Sequence, residues 1–456
     1  MLAPVHTLFS ESALLPSGWR RDVLFTFDDT GTLVAVQPDA AGDDHERAGG
    51  PVVPGIPNLH SHAFQWALAG RAERGHPDGD SFWTWRTLLY DFLNRLDPDA
   101  VEAIATALYL EMLEAGYTSV VEFHYLHHGP AGRAYEDRAE MALRLGRAAD
   151  ATGIRLTLLP VVYEAGGFGV DLAPEQARLR LSLYDALTVL ERLEASDFGH
   201  RLGLALHSLR AVRSETIRDL VEDRTLLARP HTIHIHVAEQ LREVEECQAR
   251  LGARPVRWLL DAADVDERWC LVHCTHVDED ELHGVIRSGA VVALCPTTEA
   301  NLGDGVFPFA NYERGGGRWG VGSDSQVSVN PFEELRWLEY EQRLVQQKRN
   351  VITAGTARST GRALFEGVLS GAWSAVADNV GRLEPGSRAD LLVFDRDQPR
   401  RWGRDEDALL DTLVFSGSDS APLHVMVGGR WVVRDRAHTA RASLLPALRE
   451  ALRRLD

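Results

Sequence analysis

The sequence predicts an α/β protein: a (β/α)8 TIM-like barrel with a small β-sandwich domain built from both termini. Three observations predict it. Short apolar runs recur between residues 56 and 324, each followed by a longer segment of helical periodicity. Both ends of the chain carry strand-and-turn patterns instead. Polar side chains able to bind a metal stand at the ends of several apolar runs, where a barrel builds its active site.

The N-terminal segment opens the small domain. "VLFTFDDTGTLVAVQ" joins two β-rich runs through Asp-Asp-Thr-Gly, a hairpin pattern. The far end has the same texture: "ADLLVFD" (389–395) and "PLHVMVGGRWVVRD" (422–435) read as strands, the latter with a Gly-Gly turn. We therefore expect residues 1–53 and 380–456 to form the small domain and 54–379 the barrel.

The barrel runs, in order, are "IPNLH" (56–60), "TSVVEF" (118–123), "IRLTLLPVV" (154–162), "LGLAL" (202–206), "TIHIHV" (232–237), "WCLVH" (269–273), "AVVALC" (290–295) and "WGVGSD" (319–324). Helices fall between them. "DAVEAIATALYLEMLEAG" ends at Gly116, a C-cap signal, and residues 240–260 read likewise. A doubly wound open sheet would give the same alternation, but no GxGxxG follows an early strand.

Composition narrows the partners. The 456 residues carry a formal charge of −19, with 45% hydrophobic and 25% charged residues. That balance fits a soluble globular protein and disfavours nucleic acid and anionic membranes. Cys247, Cys270, Cys274 and Cys295 lie at no spacing that suggests a disulfide framework. The first residues lack the basic and apolar regions of a signal peptide, and no run is apolar over spanning length, so a cytoplasmic protein is expected.

The chemistry sits at strand ends. Side chains alternate along a strand, so His60 and His62 point the same way and can reach one metal ion. The fourth run ends at His207. The fifth offers His234, His236 and, just beyond, Glu239. The sixth ends at His273, with His276 close behind, and the eighth at Asp324. Three imidazoles and a carboxylate suit a catalytic zinc with an open position for water.

"PNLHSH", "HVAE", the sixth-strand histidine, "GVGSDS" and "GRLEPGSRADLLVFD" together resemble the amidohydrolase superfamily. "PGIPNLHSHAFQWALAGRAE", "EFHYLHH", "LALHSLRAV", "HIHVAEQ" and "VGSDSQVS" are similar to its branch that deiminates formimidoyl amino acids. The resemblance covers essentially the whole chain. It implies hydrolysis of N-formimidoyl-L-glutamate to N-formyl-L-glutamate and ammonia, a step of histidine degradation, by a homodimer. It implies His60, His62, His236 and Asp324 as metal ligands, and Glu239, His273 and Asp324 as catalytic. It also implies Gln65, Arg86, Tyr125, His207 and Arg210 as contacts of a small substrate with two carboxylates. The lysine that bridges two metals elsewhere in the superfamily has no counterpart in "GLALHSLR", so one Zn2+ is expected, with iron or manganese able to use similar ligands. The competing reading is a deaminase of a purine, pterin or triazine ring, which needs stacking rings and no pair of carboxylate anchors. A metal-binding protein without catalysis would have no use for Glu239 or His273. Trp83 and Trp85, beside Arg86, are candidates to cap the pocket.

Overall fold

The computed structural model of the chain describes residues 5–42, 44–75, 79–223, 231–356, 358–417 and 419–455. The barrel strands are β1 (Ile56–Ser61), β2 (Tyr117–His124), β3 (Arg155–Val162), β4 (Leu204–Ser208), β5 (Ile233–Val237), β6 (Trp269–His273), β7 (Val291–Leu294) and β8 (Arg318–Val321). They pair in chain order, each pair parallel. Apart from Arg155 and His207, every residue of these strands but Arg318 is buried, which is why they read as continuous apolar runs rather than alternating ones. β4 extends past the expected 202–206 run, so His207 lies within the strand.

The barrel closes just past β8. Asp324 N donates to His60 O at 3.0 Å, and His62 N donates to Asp324 O at 3.2 Å. This approach requires glycine at 322, where a Cβ would lie 2.7 Å from His60 Cβ. Closure is thus made by the backbones of three of the candidate site residues.

Helices follow their end signals. In Pro98–Ala115, the Asp97 side chain accepts from Ala100 N, proline fills the first position, and Gly116 closes the helix at φ 110°. Residues 240–260 differ from expectation: they form two helices, Leu241–Leu251 and Pro255–Ala262. Gly252 adopts the left-handed conformation, and Pro255 starts the second helix, where it needs no N–H donor.

Both termini meet in one nine-stranded sheet, the join being Val52–Pro54 antiparallel to Leu391–Val393. The hairpin pairs Gly18–Asp28 with Leu33–Gln37. This sheet has its own apolar cluster, which includes Leu8, Val23, Phe25, Leu391 and Met426. Two helices in the C-terminal segment, Asp407–Phe415 and Arg441–Leu455, instead send Leu410, Leu413 and Leu455 into the barrel's cluster. All four cysteines are free and buried. No described helix is long and apolar enough to cross a membrane.

Candidate active site

Four side chains converge at the C-terminal mouth of the barrel. His60 Nε2 lies 3.1 Å from His62 Nε2 and 2.9 Å from His236 Nε2. Asp324 Oδ1 is 3.4 Å from His60 Nε2 and 3.3 Å from His62 Nε2. β1 brings two of these groups, β5 a third, and the turn after β8 the fourth. All are at least nine-tenths buried.

The donor chemistry fits a divalent cation. His62 Nδ1 donates to Phe123 O at 2.9 Å, so its Nε2 carries a lone pair toward the cluster. Burial pushes the His62 pKa down to about 3 and lowers those of His60 and His236, keeping the imidazoles neutral as ligands must be. Neutral nitrogens facing one another at these distances repel unless a proton or cation lies between them. Burial works to raise Asp324, but the hydrogen bond from His60 and the pull of His60, His62 and His273 together outweigh it and hold the carboxyl below its usual range. Three neutral imidazoles and one carboxylate are the donor set of a zinc-type site.

Beside them stand His273 and Glu239. His273 Nε2 is 3.8 Å from Glu239 Oε1 and 4.0 Å from Asp324 Oδ2. Its Nδ1 donates to Glu299 Oε1 at 3.0 Å. Burial alone would lower the His273 pKa; Glu239, the Glu299 hydrogen bond and Asp324 together push it up to about 10. Burial raises Glu239, against the pull of His273 and Arg210. The backbone is left-handed at Ala238 (φ 54°), His273 (72°), Cys274 (54°) and Asp324 (46°), all non-glycine. Such strain, concentrated where β5, β6 and β8 end, turns these side chains into one space.

That space is a pocket with about 520 Å³ free of atoms, and Gln65, Arg86, Tyr125, His207 and Arg210 all line it. Gln65 Nε2 donates to Tyr125 OH at 2.8 Å. The His207 ring lies 5.1 Å from that of His236 and 4.5 Å from that of Tyr163. Arg210 Nη2 is 3.5 Å from Glu239 Oε2, and its Nε is 3.7 Å from Glu243 Oε2. Arg86 comes from helix α1 (Phe82–Leu93), which starts at a Ser81 cap and covers one side of the pocket. Trp85 of α1 also lines it, whereas Trp83 is not among the lining residues and stacks against Arg242 at 4.4 Å. His234 and His276 stay out: each donates Nε2–H to a backbone carbonyl, that of Ala375 and that of Asp304.

Sequence reasoning missed several carboxylates behind this set. Glu299 orients His273. Glu243 accepts from the backbone N–H groups of Ala238 and Glu239 at 3.1 and 3.2 Å. Glu122 accepts from Ser61 Oγ at 2.8 Å and Ala63 N at 2.6 Å, clasping the end of β1 from β2. Only Glu122 had a signal: it is the one charge inside the apolar run "TSVVEF". Tyr90 and Tyr163, which line the pocket, were missed as well.

Residues 52–432 match the amidohydrolase family, and the chain belongs to that family. Within it, the chain groups with the formimidoylglutamate deiminases. Residues 5–50 match the N-terminal domain of formimidoylglutamate deiminase HutF. The chain is 50% identical over 440 residues to the formimidoylglutamate deiminase of Pseudomonas aeruginosa, covering 95% of this chain and 96% of that one. An 8-oxoguanine deaminase of the same organism is 28% identical, over 88% of this chain and 86% of its own. Among solved structures, an amidohydrolase from Brucella melitensis superposes with a TM-score of 0.89 at 42% identity, covering 99% of each chain.

Proposed function

We infer that the protein is a metal-dependent hydrolase that converts N-formimidoyl-L-glutamate and water to N-formyl-L-glutamate and ammonia, in histidine degradation. The observation that carries this reading is the pocket itself. Two guanidinium groups, Arg86 and Arg210, come from different elements and face the same small space as the imidazole cluster. In a chain of charge −19, that placement suits a substrate with two carboxylates. The 50% identity to the Pseudomonas deiminase over nearly the whole chain supports the same substrate.

His60, His62, His236 and Asp324 would hold one zinc ion. An ion bound there supplies a Lewis acid that makes water nucleophilic near neutral pH. Asp324, held ionised, accepts a proton from the water as its oxygen attacks the formimidoyl carbon. Glu239, with its raised pKa, carries a proton to the amidine nitrogen, so that the C–N bond breaks with ammonia as the leaving group. His273, fixed at Nδ1 by Glu299, directs Nε2 toward both carboxylates and orients the attacking oxygen. Gln65, Tyr125 and His207 line the pocket beside the two arginines and give the substrate neutral hydrogen-bonding partners. We place the enzyme in the cytoplasm as a homodimer.

The test is ammonia release by metal-analysed protein from N-formimidoyl-L-glutamate, with N-formimidoylglycine and guanine alongside. Ammonia and N-formylglutamate from the first compound alone is the expected result. Activity on guanine with none on the first compound overturns the substrate and leaves the metal site standing.

A further inference from the structure

Behind Arg86 lies a group of hydrogen-bond donors that no step above uses. Arg86 Nε donates to Tyr90 OH. Gln176 Nε2 donates to Tyr90 OH at 3.1 Å and to Tyr163 OH at 2.9 Å, and the two phenol oxygens are 3.3 Å apart. Gln176 cannot turn its amide round, because its Oε1 accepts from Ala173 N at 2.9 Å. Tyr163 and Gln176 are almost wholly buried, and Tyr90 and Arg86 are half-buried.

Counting hydrogens shows what this group lacks. The amide offers two, Arg86 Nε one and each phenol one, against two lone pairs on each phenol oxygen. With Tyr90 O filled by Arg86 and Gln176, the contact between the phenols is donated by Tyr90 to Tyr163. The hydroxyl hydrogen of Tyr163 is then left without an acceptor within the group. The guanidinium adds further donors: among the described residues no carboxylate ion-pairs with Arg86, whose polar neighbours are the Tyr90 and Tyr163 hydroxyls and which lies over the faces of Trp83 and Tyr90. Tyr90, Tyr163 and Arg86 all line the pocket. A buried set of donors with too few acceptors is completed by an anion with several lone pairs.

We propose that Tyr90 and Tyr163, aligned by Gln176, form with Arg86 a receptor for one of the two substrate carboxylates, and that the two phenols set the preference for a dicarboxylate over a neutral or monoanionic formimidoyl compound. This deepens the reading under Proposed function and rests on it. The arrangement also explains why a glutamine stands buried behind a tyrosine pair: it gives one hydrogen to each phenol oxygen, Arg86 and the phenol–phenol contact take the remaining lone pairs, and a phenol hydrogen is turned toward the pocket.

The test compares wild type, Tyr163→Phe, Tyr90→Phe and Gln176→Leu on N-formimidoyl-L-glutamate and on its α-amide and γ-amide. For the parent compound, KM rises about tenfold in Tyr163→Phe, what one hydrogen bond to a charged group is worth. kcat stays within about twofold, since the contact is made equally before and during reaction. The same loss persists with one monoamide and vanishes with the other, whose missing charge identifies the carboxylate held. Gln176→Leu reproduces the KM effect without touching substrate. Equal losses on all three compounds, or an unchanged KM, overturn the proposal. Wild-type silence on the parent compound would instead sink the substrate assignment. Calorimetric binding of N-formyl-L-glutamate then decides the receptor: tenfold weaker binding in Tyr163→Phe keeps it, and equal binding, or none to wild type, ends it.

Discussion

The two sides of the pocket are built in different ways. The metal-facing floor hangs on barrel strands and the turns that end them. Its barrel closure is made by backbone: Asp324 N donates to His60 O and His62 N to Asp324 O, beneath the contact of the Asp324 carboxylate with the His60 ring. The substrate-facing wall hangs on α1 and on the loops after β2 and β3. It is held by side chains, above all Arg178, which is almost fully buried and donates to three carbonyls. Arg178 Nε reaches His128 O at 2.8 Å, Nη2 reaches Leu96 O at 2.9 Å, and Nη1 reaches Leu93 O at the end of α1. A cation at a helix C-terminus opposes the negative end of the helix dipole. The lesson is a division of labour. A floor fixed by backbone keeps the reacting groups constant, while a wall fixed by side chains can be altered one residue at a time.

The comparison predicts where substitutions act. The largest effect belongs to the floor: Glu239→Gln removes the group that carries the proton to nitrogen, and kcat falls about 10³-fold. Metal content, read by elemental analysis, stays at the wild-type level, because Glu239 is not among the four converging donors. Loss of metal in this variant would move Glu239 into the ligand set. Next is Glu122→Gln. Ser61 Oγ, Ala63 N and Tyr109 OH all donate to this carboxylate, and an amide keeps only one oxygen for them. Stability drops by about 2–3 kcal/mol. Zinc affinity, measured against a chelator, falls about 10- to 100-fold as the β1 end loosens. Unchanged zinc affinity would show that barrel closure alone holds His60 and His62.

The same division explains what the sequence let one read. Floor residues were visible because a strand exposes a period of two, and a run such as "TIHIHV" marks where an imidazole meets the mouth. The eight runs and their order follow from burial on both faces, which forces apolar composition. The wall was different. α1 has no run of histidines or carboxylates, and Arg86 is one arginine among many in the chain. It was found through resemblance, while Tyr90, Tyr163 and Gln176 were not found at all. They meet only because α1 packs against the segment that follows β3, and no local spacing encodes that. Residues 240–260 failed for a smaller reason: Gly252 and Pro255 interrupt an apolar periodicity that continues across them.

A wall held by side chains should loosen without disturbing the chemistry. Arg178→Met frees three carbonyls and the end of α1. KM for the substrate rises about tenfold, because Arg86 and Tyr90 lose their fixed positions, while kcat changes by less than about threefold. Hydrogen exchange read by mass spectrometry rises in 82–93 and stays low in β1 and β5. A fall in kcat with KM unchanged would mean that the wall also aligns the reacting groups.

The smallest effect separates the two sides by pH. His124, at the end of β2 where the wall begins, is buried, its Nε2 has no hydrogen-bond partner, and burial pushes its pKa down to about 3. Its unfolded value is near 6.5. As pH falls below 6.5 the unfolded chain binds this proton and the native one does not, so stability is present above 6.5 and is lost progressively toward 3. The slope is about 1.4 kcal/mol per pH unit for one such group, or roughly 2 kcal/mol between pH 6.5 and 5. With zinc bound, the imidazoles of the floor are held against protons by the ion, whereas His124 is not. Exchange in β2 and the loop after it should therefore accelerate from pH 7 to pH 5 more than exchange in β1. In His124→Leu, which carries no proton to bind, that extra acceleration shrinks. An equal acceleration in the variant would assign the acid response elsewhere in the wall, to His127, whose pKa burial also lowers and whose Nε2 donates to Val161 O at 3.1 Å.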